Sequence, residues 1–293
     1  MKIADQFRKT VSGSKDGKPD WVKYIEMGDD VGLFGVDSAV WQVHGCIATL
    51  VGGVRALLLQ ACHPAPLAGV SQHSRYESDP IGRLIGTTRW LTITSFASTE
   101  GIAREAARVN EMHSHVTGNY HKADGSESSY RAKDPRFLLW VHCAFTDSFL
   151  KAHLDMGYPI NKGGDAYVAE WSKSAIPLGL KDAPQSMAEL EATLEDFRAT
   201  ELGRTELTED VVKFILKPPF GKAALVFYRL IANAAIATMD PRELEILGLA
   251  PKSKVWLKLA RFVLDIFIKM LGNESPSQRV ARERIARITG ATS

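Results

Sequence analysis

The sequence predicts an all-α protein built as a single domain. Apolar residues recur at helical spacing almost everywhere, and no alternating run of strand length stands out. Helix-cap devices punctuate the chain, with Asp-Pro repeated at Asp79-Pro80, Asp134-Pro135 and Asp240-Pro241. No internal repeat, composition shift or linker separates two units, so residues 1–293 read as one domain.

The elements follow in order. The first 30 residues carry no strong pattern and read as peripheral. Asp79 caps a helix that starts at Pro80 and runs to about Phe96. Ser98 or Thr99 caps the next, and Gly118 stops it. Residues 119–133 are polar and hold Gly and Ser, so they read as a surface loop. Asp134-Pro135 opens a helix to about Met156, closed by Gly157. Ser186-x-x-Glu189 is a capping-box pattern. Val211–Leu216 reads helical. Pro218-Pro219 breaks the chain before a helix over Phe220–Thr238, and Asp240-Pro241 starts a short one. The last 20 residues read as peripheral again.

Composition narrows the function classes. The 293 residues are 45% hydrophobic and 24% charged, which fits a globular protein and excludes disorder. Three cysteines, Cys46, Cys62 and Cys143, are too few for a disulfide scaffold, and their odd number suits a reducing compartment. A net charge of +2 argues against a dedicated nucleic-acid binder. That charge is uneven. From residue 251 onward nine Lys and Arg face three acids, so this tail carries +6 and the rest −4. No signal peptide is visible, and no stretch of 18 apolar residues is free of charge, so a cytoplasmic protein is expected. In the segment 252–269, Lys254, Lys258, Arg261, Asp265 and Lys269 form one polar stripe on an otherwise apolar helix. It reads either as a core helix or as a basic helix for peripheral membrane contact.

The chemistry rests on histidines. Ile102, Ala106, Val109, His113 and Val116 follow steps of 4, 3, 4, 3 and share one helix face. His115 lies about 200° from His113 and faces elsewhere. Leu138, His142, Phe145, Phe149 and Ala152 form a second stripe, so His142 is also inward, with Asp147 off that stripe. Arg83 and Thr87 share a face with Trp90 and Thr94. Inward imidazoles and a guanidinium need partners. Haem would satisfy both, with iron for an imidazole and propionates for an arginine. Ordinary hydrogen bonds would satisfy the histidines as well, and Asp79 or Asp134 would serve Arg83. No H-E-x-x-H, C-x-x-C, G-x-S-x-G, Walker loop or dinucleotide fingerprint is present.

Several blocks then carry a family likeness: FGVDSAVWQVHG (34–45), GGVRALLLQACHPAPLAGVSQHS (52–74), DPIGRLIGTT (79–88), EMHSHVTG (111–118), YRAKDPRFLLWVHCAFTDSFL (130–150) and PPFGKAALVFYRLIANAAIATMDPRELEILGL (218–249). In that order the chain resembles the family of the rubber-cleaving latex-clearing oxygenases and the fungal oxygenase of mycophenolic acid biosynthesis, over about residues 34–249. The resemblance implies one mostly helical domain holding a b-type haem. It implies His113 as the iron ligand, an Arg83 and Thr87 pair near the haem, and His142 as a further cofactor-binding residue. His63 and His73 also fall in family-like blocks and read as structural. The sequence departs from the rubber-cleaving pattern at three places: Gly86 stands where a distal lysine is expected, Thr117 where many relatives have arginine, and Leu67 near the place of a glutamate base.

The expected function is therefore a haem-dependent oxygenase acting with O2 on an apolar, unsaturated substrate. Two other readings stay open on the sequence: a haem-binding sensor or carrier, and a helical membrane-surface protein without haem.

Overall fold

The structure, a computed structural model, describes residues 19–73, 80–272 and 274–290; within these the side chains of 80–85, 223, 270 and 271 are not described. Its architecture is almost wholly helical. The first helices are α1 (Val22–Glu26), α2 (Ala39–Gly45), α3 (Thr49–Gln60), α4 (Pro64–His73), α5 (Pro80–Phe96) and α6 (Thr99–Ser114). A hairpin of β1 (Thr117–His121) and β2 (Glu127–Arg131) follows. Then come α7 (Pro135–Asp155), α8 (Gly163–Trp171), a 3-10 segment (Ser172–Leu178), α9 (Met187–Thr200), α10 (Glu206–Leu216), α11 (Lys222–Ile236), α12 (Pro241–Leu247), α13 (Val255–Leu271) and α14 (Pro276–Thr289).

Helices α3 and α7 pack along each other at the centre, with α11 against α3 and α8 and α9 against α7. Their approach is close because Gly52 faces Phe149: a Cβ on Gly52 would lie 2.6 Å from the Phe149 ring. The core around this pair includes Leu58, Leu59, Trp140, Ala144, Phe149 and Trp171. One buried ion pair also crosses it. Arg55 on α3 and Asp147 on α7 meet at 2.6 Å, and Arg55 donates to Ser148 at 2.8 Å.

The predicted caps form. The side chain of Ser98 accepts from Gly101 N, that of Asp134 from Arg136 N and that of Ser186 from Glu189 N. Asp240 and Glu243 complete a capping box. The Asp79 cap lies outside the described residues.

Three expectations are corrected. The segment read as a loop is a hairpin: β1 pairs antiparallel with β2, from Thr117 opposite Arg131 to His121 opposite Glu127. The reason is local. Helix α6 stops at Ser114, Gly125 turns with φ of +83°, and Tyr130 buries against Ala65 and Ala68 of α4. The N-terminal region is not peripheral throughout, because Trp21 and Ile25 are buried. Nor is the C-terminus: Arg284 of α14 is buried and donates to the carbonyls of Ile25 and Phe96. A guanidinium that satisfies two chain carbonyls ties both ends to α5.

Helix α13 is partly core. Leu257, Ala260 and Leu264 are buried, but Val255, Leu259, Phe262 and Ile266 are exposed.

Candidate functional site

Helices α5 and α6 pack together and are clamped by one buried acid. Glu105 of α6 accepts from Arg89 of α5 at 2.8 Å and from Arg108 at 2.6 Å. Ile102, Ala106 and Val109 bury the predicted face of α6. That face carries His113 into the last turn, where the ring is half-buried. The His113 ring makes no hydrogen bond among the described residues, and its Nδ1 is buried without a partner. Burial lowers its pKa, and the nearby cations Lys133 and Arg108 lower it further. The ring is therefore neutral near pH 7 and keeps a lone pair to donate. His115 behaves oppositely: it is exposed and pairs with Glu111 at 3.0 Å.

On α7, His142 is buried and its Nε2 has no partner. Burial pushes its pKa down to about 4. The 3-10 segment and the residues just after it bring the two histidine-bearing helices toward one region. Asn110, one turn before His113, donates to Pro177 O at 3.0 Å. Leu138, one turn before His142, packs with Leu139 against Ala175, Leu180 and Ala183.

Helix α5, which packs against α6, carries the other predicted site residues. Thr87 is half-buried on it, and Thr94, two turns on along the same face, has a buried Oγ1 without a partner. Gly86 faces open space: a Cβ there would meet nothing within 4 Å. Arg83 lies in the first turn of this helix, and its side chain is outside the described residues.

These residues fit a haem. Among the described residues His113 and His142 each have a ring nitrogen without a partner and Thr94 a hydroxyl without one, and on α5 a side chain at Gly86 would project into open space. Burying such groups unpaired costs about 1–3 kcal/mol each, so they favour a ligand that pairs with them. Among the described residues no group of three His, Cys, Asp or Glu side chains could hold a bare metal ion. An iron carried in a macrocycle requires only one such side chain.

Three other histidines are engaged. His63 bonds Glu201 at 3.1 Å through Nε2, and its Nδ1 accepts from Ala65 N. His73 bonds the Thr117 carbonyl at 2.8 Å. His44 bridges Ser95 at 2.7 Å and Tyr167 at 2.9 Å, against Phe149 and Trp171. Sequence reasoning assigned no partner to Asp147 and did not single out Arg55. The available signal was Arg55 itself, the lone charge in an apolar helix, which calls for a buried acid.

The model of the family described as "ER-bound oxygenase mpaB/B'/Rubber oxygenase, catalytic domain" matches residues 41–269. The match covers His113, His142, Arg83 and Thr87 and extends into α13. No curated protein and no solved structure matches the chain.

Proposed function

From the chain's place in the family of mpaB and rubber oxygenases, to which it belongs and which makes it an oxygenase, we propose a b-haem enzyme with His113 as its iron ligand. The carrying observation is the His113 ring, which is half-buried and neutral and has no hydrogen bond among the described residues. The family's oxygenase chemistry favours an enzyme over a carrier or a haem-free surface protein. When bound, haem supplies the reactivity toward O2, and the protein supplies binding and orientation.

Each residue has a physical task. His113 holds the cofactor at the end of α6, and the Glu105 clamp fixes that helix against α5. Arg83 offers a cation for a propionate. Thr87 offers a hydroxyl one turn later. Gly86 leaves room between them, so a small reactant can enter where a lysine side chain would otherwise stand. His142 is a buried neutral polar group on the α7 side, suited to orient the cofactor or its reactants. The many apolar side chains around α7 keep water out and favour an apolar substrate, for which oxidation or cleavage of a C=C bond is the proposed outcome. A substrate of that kind partitions into bilayers, and the basic segment 252–269 is the part of this chain suited to meet one.

The test is expression with haem supplied, an absorbance spectrum, and incubation of the reduced protein with O2 and polyisoprenoid or other unsaturated lipids. Carbonyl or epoxide products support the proposal. A haem-loaded protein that takes up no O2 with any such substrate contradicts the substrate assignment, and a protein that binds no haem contradicts the cofactor.

A further inference from the structure

On α13, Val255, Leu259, Phe262 and Ile266 are spaced 4, 3, 4 and form one continuous apolar stripe. All four are exposed, Phe262 at 65%. Leu257, Ala260 and Leu264 are buried on the opposite side, so the core does not use this stripe. Helix α11 packs against α13, with the rings of Phe227 and Phe267 at 5.1 Å, and Val226, the neighbour of Phe227 on α11, is itself 68% exposed.

Cations border this surface. Lys254, Lys258 and Lys269 run along one edge of the stripe, by helical phase, while Lys222 and Arg229 flank Val226. Arg229 and Lys252 also line a groove of about 190 Å³ with Leu216, Ile236 and Leu249. All six cations are exposed, and none forms an ion pair among the described residues. The single acid of α13, Asp265, is engaged by Arg261 at 3.5 Å and by the Tyr158 hydroxyl at 2.8 Å.

We propose that this α11–α13 face docks on an anionic phospholipid bilayer. The proposal deepens the membrane contact suggested for 252–269, and its test does not depend on the haem site. A helix with an exposed apolar stripe bordered by lysines lies in the headgroup region, with the stripe in the acyl boundary and the ammonium groups at the phosphates. No single helix among the described residues is long and apolar enough to cross a membrane; the docking proposed for this face is peripheral. A second copy of the chain is a poor occupant, because two faces rimmed by unpaired cations repel each other.

The experiment is co-sedimentation of the full chain with vesicles of phosphatidylcholine alone and of phosphatidylcholine mixed in equal parts with phosphatidylglycerol. Haem absorbance and thermal unfolding are recorded on the same samples. Wild type should pellet with the mixed vesicles and much less with the neutral ones, and salt should release it. Lys254→Gln, Lys258→Gln and Lys269→Gln together should weaken binding by roughly fivefold per lysine. Phe262→Glu with Ile266→Glu should abolish it. Both variants should keep the wild-type unfolding temperature, because the changed side chains are exposed. Failure of wild type to bind either vesicle overturns the proposal, as does equal binding to both or binding that survives both variants. A concentration-dependent dimer that Phe262→Glu converts to monomer also overturns it, by giving the face to a second copy.

Discussion

Asp147→Asn tests the buried joint on which α7, and with it His142, is held against α3. Arg55 is fully buried and Asp147 nearly so, and they meet at 2.6 Å. Lys151 stands 3.5 Å from the other carboxylate oxygen but is one-third exposed, so it compensates little. Removing the aspartate charge leaves the guanidinium in the core with the neutral Ser148 hydroxyl as its hydrogen-bond partner. Breaking a buried pair in this way costs about 3–5 kcal/mol. For a chain of this length, at roughly 2 °C per kcal/mol, the melting temperature falls by roughly 6–10 °C. Replacing both partners, Arg55→Met with Asp147→Leu, should recover most of that loss, since the cost lies in the orphaned charge rather than in the missing bond. The assay is thermal unfolding of the haem-free protein followed by circular dichroism. A loss below 1 kcal/mol for Asp147→Asn, or a double variant as damaged as the single one, would refute the reasoning.

The remaining predictions use glycines and His44. Gly86→Ala should stabilise the haem-free protein by about 0.5–1 kcal/mol, because the position is helical and its Cβ meets open space. Gly52→Ala should destabilise it by about 1–3 kcal/mol, because its Cβ would press on Phe149; urea unfolding of the two variants separates these signs. The pKa of His44 is pushed down to about 3, chiefly by burial and then by His153. The folded state therefore binds fewer protons than the unfolded state between about pH 3 and the ordinary histidine value near 6.5. Its contribution is complete above about pH 6.5 and is lost as pH falls, with a slope of about 1.4 kcal/mol per pH unit. His44→Gln should flatten that slope in a pH series of urea midpoints, and an unchanged slope would contradict the assignment.

The sequence made the helices legible because their signals are local. Asp134-Pro135 needs only adjacent residues to start a helix, and the phase of Ile102, Ala106 and Val109 needs only one turn to orient His113. The hairpin was less visible because its pairing depends on Tyr130 finding Ala65 and Ala68, some sixty residues earlier. Arg284 looked like a solvated tail residue for the same reason: its acceptors are carbonyls near residues 25 and 96. At the site, helical phase separated His113 from His115, and exposure follows that division. The joint between Arg55 and Asp147 was missed because ion pairing between helices leaves no periodic trace on either one. On α13 the polar stripe was read correctly as a stripe. Which apolar residues beside it stay uncovered depends on the placement of α11, which one helix cannot reveal.

The central claim is that His113 carries the cofactor, and one absorbance measurement tests it most directly. Wild type, His113→Ala and His115→Ala are expressed with haem supplied, purified and scanned across the Soret region. The account predicts a Soret band for wild type and for His115→Ala and its loss in His113→Ala, with all three remaining folded by circular dichroism. A Soret band of wild-type height in His113→Ala, or none in wild type after reconstitution, would contradict it.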